Sequence, residues 1–283
     1  MKLLRYGPRG QEKPGLIDRD GAIRDLCGVI ADVAPEVLSP AALDRLRAID
    51  PTSLPRVHGA PRIGACVARV PQMVCTGLNY VDHVKEAKVS TPTEPVLFLK
   101  SISAINGPND DVMLPKGSKS TDWEVELGIV MGTEAADVSE SDALQHVAGY
   151  CVANDLSERD FQFRRGEPSP PKGKCADTFA PIGPYMVTAD EVPDPQALDI
   201  FCEVSGTRMQ NGSTRDMIFS CAFLVSYMSR FVTLQPGDII LTGTPAGTGL
   251  GHKPPRYLRP GDTLRLGITS LGEQRASVVA YRG

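Results

Sequence analysis

The chain has no apolar run approaching the roughly 18 residues of a membrane span, so no transmembrane helix is expected. Its opening, Met1 to Gly7, carries charge inside its only apolar stretch, unlike a signal peptide. Charge of one sign is also scarce. The net charge is −4 and the pI about 5.6, which points away from nucleic acid and acidic membranes as partners. The seven cysteines form no C-x-x-C pair, which disfavours zinc-ribbon and thioredoxin-type sites and fits reduced thiols in a cytoplasmic protein. Three signatures are missing as well: the G-x-S-x-G elbow, the G-x-x-x-x-G-K-[ST] loop and H-E-x-x-H. A serine hydrolase, a P-loop enzyme and a zincin are disfavoured accordingly. There is no internal repeat and no low-complexity tract.

What is present is an ordinary globular composition, 283 residues with 41% hydrophobic and 23% charged, enough for one or two domains. The 27 glycines and 24 prolines predict many turns and short strands. Residues 1–65 read as a small separate unit. A β-meander is expected from the runs Lys2–Tyr6, Pro14–Ile17 and Ala22–Leu26, then helices over Ile30–Val37 and Pro40–Ile49. Asp50 to Pro55 reads as a linker. Strands follow at Met73–Thr76, Val96–Lys100, Glu124–Met131, Val147–Asn154, Pro184–Val187, Ile200–Val204, Asp238–Leu241 and Thr263–Ile268. Two long helices are expected, around Ser141–His146 and over Ser213–Phe231. Many strands with few helices predict a mainly-β or α+β domain rather than a βαβ sheet.

The most informative stretch is Thr121-Asp122-Trp123-Glu124-Val125-Glu126-Leu127-Gly128-Ile129-Val130. A strand turns alternate residues to opposite faces, so Glu124 and Glu126 share one face. Paired carboxylates on an apolar strand repel unless water or a cation intervenes. The strand therefore either wets one face or holds an oxygen-liganded divalent cation, Mg²⁺ or Mn²⁺. Asp155, which closes the apolar run Val147 to Asn154, supplies a third acid.

Four further patterns accompany it. If Val81 to Lys88 is helical, His83 and Glu86 face each other, either as a base held by its carboxylate or as a routine surface pair. Arg159 and Gln162, in a helix entered at Leu156, point the same way as Asp155, to grip a carboxylate or to face solvent. Lys174 lies in a Pro/Gly-rich loop, Pro171 to Asp177. It is placed either to neutralise an oxyanion or enolate, or simply in solvent. The loop from Leu241 to Gly251 has the spacing G-x-G-x-G, and Pro254-Pro255 forbids the helix that a dinucleotide fingerprint needs. A backbone cradle for a substrate carboxylate fits it better.

Six segments, in order, resemble the fumarylacetoacetate hydrolase superfamily over about residues 66–283. They are Gly77-Leu78-Asn79-Tyr80 with Asp82-His83, Phe98-Leu99-Lys100, and Trp123 to Leu127. Asn154 to Asp160, Lys174 to Phe179, and Leu241 to Pro245 complete the series. The resemblance implies an α+β, mainly β fold of layered sheets with a β-roll core. It implies a catalytic domain over 66–283, a small N-terminal domain over 1–65 and a homodimer. It also implies Mg²⁺ or Mn²⁺ on Glu124, Glu126 and Asp155. Water activation falls to His83 and Glu86, and substrate contacts to Arg159, Gln162, Lys174 and Thr244.

Within the superfamily, the bacterial hydrolases of 2,4-diketo-3-deoxy sugar acids are the nearest pattern. The cues are Lys116-Gly117-Ser118-Lys119 and Gly249-Leu250-Gly251 running into Lys253-Pro254-Pro255. The stretch Arg165-Gly166-Glu167-Pro168-Ser169-Pro170-Pro171 is more proline-rich than that pattern. The implied substrate is a small 2,4-diketo acid, cleaved to pyruvate and a hydroxy acid such as lactate. The alternatives are decarboxylation of oxaloacetate or another 2-oxo acid, an isomerase of the same superfamily, and a metal-binding protein without catalysis.

Overall fold

The computed structural model describes residues 1–163 and 167–282, so Arg165 and Gly166 of the proline-rich stretch lie outside the described residues. A nine-stranded mixed sheet forms the frame. Its spatial order is Ile23–Asp25, Lys13–Ile17, Lys2–Tyr6, Met186–Thr188, Val147–Asn154, Val125–Met131, Ile239–Leu241, Met73–Gly77 and Val96–Lys100. A five-stranded sheet packs on it, built from Thr207–Ser213, Asp199–Val204, Thr263–Ile268, Gly272–Val279 and Val112–Met113. The two share one apolar core, which includes Val125, Leu127 and Ile129 of the large sheet and Ile200, Leu264 and Leu266 of the smaller one. This is the layered, mainly β architecture that the sequence resemblance implies.

The central strands are covered on both faces. Every residue of Val125–Met131 and of Val147–Asn154 is buried, which is why these segments read as continuous apolar runs. Their antiparallel register sets Val125 opposite Asn154 and Glu126 opposite Ala153. The next pair outward is Glu124 and Asp155, and the Asp155 N–H donates to the Glu124 carbonyl at 2.8 Å. Ile239–Leu241 runs parallel to Met73–Gly77 and antiparallel to Val125–Met131. The C-terminal ends of Met73–Gly77, Ile239–Leu241 and Val147–Asn154 therefore meet the N-terminal end of Val125–Met131 at one edge.

The N-terminal meander forms as its apolar runs predict. Lys2–Tyr6 pairs with Met186–Thr188, with Leu3 opposite Met186, so the meander extends the large sheet. Other expectations change. Ile30–Val37 yields only a 3₁₀ turn at Pro35–Val37, while Pro40–Arg47 is helical behind the Ser39 cap. Around Ser141–His146 there is a helix at Glu140–Ala143 and a 3₁₀ turn at Leu144–His146. Of the long helix expected over Ser213–Phe231, Ser213 ends a strand and Thr214–Asp216 is a 3₁₀ turn. The helix proper is Cys221–Ser229, where the Ser220 hydroxyl accepts from the Phe223 N–H. The acidic strand is interrupted at Trp123 and Glu124, between the short Thr121–Asp122 and Val125–Met131.

Candidate active site

Glu124, Glu126 and Asp155 are 5%, 1% and 1% exposed, so the wet-face reading of the acidic strand does not hold. Each offers a carboxylate oxygen within 4.8 Å of the others. Three buried cations surround them. The Arg159 guanidinium donates to Glu124 Oε1 at 2.6 Å, and the Lys174 ammonium donates to Glu124 Oε2 at 2.6 Å and to Asp155 Oδ2. Lys100 donates to Asp155 Oδ1 at 2.6 Å. Burial works against the charge on Glu124, but Lys174 and then Arg159 overcome it and hold this carboxyl well below the ordinary range.

Glu126 differs. Its Oε2 accepts from the Gly243 N–H at 2.8 Å, and among the described residues it pairs with no cationic side chain. Burial first, then the charges of Asp155 and Glu124, push its carboxyl well above the usual value. Leaving a buried carboxylate without a cation is costly. Three hard oxygen donors with this imbalance fit a divalent cation, which takes few protein ligands and keeps open positions.

Across the cleft, Val81–Ala87 is helical as expected. His83 Nδ1 lies 3.1 Å from Glu86 Oε2. Glu86 Oε1 accepts from the Gly247 N–H at 2.9 Å, and Oε2 lies 3.4 Å from the Thr248 hydroxyl. Burial opposes the charge of Glu86, but His83 and Gly247 win and hold it below the ordinary carboxylate range.

The remaining sequence candidates converge on the same centre. Lys174 sits on a short helix, Pro170–Lys174, and is buried, so neither the expected loop nor the solvent-facing lysine is found. Arg159 and Gln162 lie on the helix Arg159–Phe163, which starts after a two-residue strand at Ser157–Glu158 rather than at Leu156. Both are buried, and Arg159 donates to Gln162 Oε1 at 3.1 Å. Thr244 borders the cleft, but its hydroxyl donates to the Val125 carbonyl at 2.8 Å and accepts from Gln210 at 2.7 Å.

The Gly-rich loop does cradle carboxylates, but they are the protein's own. Its N–H groups at 243, 247 and 249–250 go to Glu126, Glu86 and Asp122. These side chains line or support a cleft of about 700 Å³ whose walls include Val89, Val96, Phe98, Phe163 and Leu250.

Lys100 and Asp122, both buried and both bonded to this centre, carry no role in the sequence reading. Lys100 ends an apolar strand within a quoted segment, and Asp122 stands two residues before Glu124. Their placement inside those segments is the available signal. Their charged partners, Asp155 for Lys100 and Arg159 for Asp122, lie 55 and 37 residues away in sequence.

A family model described as "Fumarylacetoacetate (FAA) hydrolase C-terminal" matches residues 72–279. The chain belongs to the fumarylacetoacetate hydrolase family. A curated relative from Burkholderia ambifaria is 60% identical over 98% of both chains, and its provisional name goes no further than hydrolase. The solved fumarylacetoacetate hydrolase from Exiguobacterium antarcticum is 33% identical with a TM-score of 0.87, covering 99% of this chain and 100% of that one. A maleylpyruvate hydrolase from Sphingobium sp. SYK-6, solved with manganese(II) and pyruvate, is 27% identical with a TM-score of 0.81 and full coverage of both chains. The protein is thus an enzyme of this family, with an acidic cluster suited to a divalent metal ion. Among the described residues, no helix is long and apolar enough to cross a membrane.

Proposed function

We propose that the protein is a metal-dependent hydrolase that cleaves the C3–C4 bond of an acylpyruvate. The substrate class we favour is a 2,4-diketo-3-deoxy sugar acid, such as 2,4-diketo-3-deoxy-L-fuconate or -rhamnonate. The observation that carries this reading is the placement of a carboxylate trio and a His–Glu pair on the walls of one cleft. The pyruvate and manganese in the maleylpyruvate hydrolase neighbour support an acylpyruvate as the ligand.

A Mg²⁺ or Mn²⁺ ion held by Glu124, Glu126 and Asp155 would supply Lewis acidity toward the C1 carboxylate and C2 keto oxygen. The chain's own residues do the rest. With His83 Nδ1–H donating a hydrogen bond to Glu86, Nε2 is left with its lone pair, the state required of a general base. It takes a proton from the water that adds to the C4 carbonyl. Collapse of that adduct breaks C3–C4, leaving the acyl half as a carboxylic acid and the other half as the enolate of pyruvate. The Lys174 ammonium, whose charge its carboxylate neighbours strongly favour despite burial, stabilises the enolate oxygen. Protonation at C3 gives pyruvate.

Arg159 and Gln162 orient the substrate carboxylate, and the backbone around Thr244 closes that side. The apolar wall of Val89, Val96 and Leu250 suits the terminal methyl of a deoxy sugar acid. The test is pyruvate release from a panel of acylpyruvates and oxaloacetate, coupled to lactate dehydrogenase, with Mg²⁺ or EDTA. Lactate is quantified in an uncoupled run. Chelator-sensitive release with an equimolar acid product is expected. Pyruvate from oxaloacetate alone would mark a decarboxylase, and silence across the panel a metal-binding protein without this activity.

A further inference from the structure

Asp122 is fully buried and takes no part in the steps above, yet all of its hydrogen-bonding capacity is used. Oδ1 accepts from the N–H groups of Gly249 at 2.6 Å and Trp123 at 2.8 Å. Oδ2 accepts from Leu250 N–H at 3.0 Å and Arg159 Nε at 2.8 Å. One carboxylate thus fastens the tip of the Gly-rich loop to the guanidinium that grips Glu124.

The same loop reaches the opposite wall. Its Gly247 N–H holds Glu86, and Glu86 holds His83. Close packing enforces this. A Cβ on Gly249 would lie 1.9 Å from the Arg256 carbonyl oxygen and 2.8 Å from Asp122 Oδ1. A Cβ on Gly251 would lie 2.2 Å from Glu86 Cδ. The Trp123 indole N–H adds a bond to the Gly247 carbonyl at 3.0 Å.

We propose that Asp122 is a positioning residue: by fixing the 247–251 loop against Arg159, it sets His83 and Glu86 in register with the metal-holding carboxylates. This rests on the general-base reading of His83. Asp122 is not placed against the substrate, and its effect passes through the loop and through Arg159.

The test compares the full-length protein with Asp122→Asn, Asp122→Glu and Trp123→Phe in three measurements: amide exchange over 247–251, Mn²⁺ affinity by titration, and kcat and KM for pyruvate release. Asp122→Asn is expected to speed exchange of the loop amides about tenfold or more while leaving Mn²⁺ affinity within about threefold. It should lower kcat on the order of 10- to 100-fold, the usual cost of displacing a reacting group by an ångström, with a smaller rise in KM because Arg159 loses one of its two carboxylate partners. Trp123→Phe, which loses one loop bond, should give the same pattern at smaller size, and Asp122→Glu, which keeps the charge but displaces the carboxylate, decides the matter if Asp122→Asn does not fold. Parental exchange rates in the loop, or activity lost only in proportion to Mn²⁺, would overturn the proposal. If the parent itself turns over no acylpyruvate, the functional reading fails, while loop exchange and Mn²⁺ affinity still decide whether Asp122 anchors the loop independently of the metal.

Discussion

Glu86 is expected to act through His83, and a double-mutant cycle reads that relationship directly. His83→Ala removes the base and should lower kcat by about 10²- to 10⁴-fold. That corresponds to roughly 2.7–5.4 kcal/mol at 1.36 kcal/mol per tenfold. Glu86→Gln keeps the shape of the imidazole's partner but removes its charge, and Glu86 is held at 3.1 Å from Nδ1 and tied to Gly247. Loss of the carboxylate behind a working imidazole should lower kcat on the order of 10- to 100-fold, by analogy with such carboxylates in metal sites. If the two residues were independent, the double variant would lose the product of the two factors. Acting as one unit, it should lose no more than His83→Ala alone. The assay is initial-rate pyruvate release at saturating Mg²⁺, with Mn²⁺ affinity measured on each variant and expected to stay within about threefold. A multiplicative double variant, or full activity in His83→Ala, would refute the assignment.

Glu126→Gln, nearly isosteric, should leave the protein folded and weaken Mn²⁺ binding on the order of 10-fold or more, read by titration calorimetry. Gly251→Ala should press on Glu86 at a part-exposed position. It is expected to reduce kcat about tenfold or more with little change in the thermal midpoint. A homodimer is expected in sedimentation velocity. Phe231, Leu99 and Ile102 are 64%, 51% and 54% exposed, and Tyr227 reaches Glu94 just before the Val96–Lys100 edge strand. Phe231→Glu with Leu99→Glu should shift the protein toward monomer, and unchanged sedimentation would place the contact elsewhere.

Much of this centre was legible because it lies on apolar strands. Val125–Met131 and Val147–Asn154 announce themselves by composition, and an acid at the end of one beside acids at the start of the other is a pattern a register can close. The cations were harder to read. Lysines are mostly exposed, so a burial rule sends Lys174 and Lys100 to the surface. What buries them is a pair of carboxylates distant in the chain. One strand ahead of the Cys221–Ser229 helix goes unmarked in the sequence for another reason. The strand Thr207–Ser213 is polar and lies at the edge of its sheet, so neither alternation nor hydrophobicity marks it. The glycine-rich loop was read as a cradle, but sequence could not say whose carboxylates it holds.

That loop also bears on how the protein is made. Residues 243–250 come late in the chain, yet their backbone N–H groups hold Glu126, Glu86 and Asp122, which come in the first half. During synthesis those acids leave the ribosome well before the partners that fix them. At elongation rates of about 5–20 residues per second, the delay is on the order of ten seconds. Ile239–Leu241, which must slot between two strands made earlier, arrives in the same interval. A nascent chain therefore exposes its acidic segment without the ordered centre until the segment from Gly243 to Leu250 has been made.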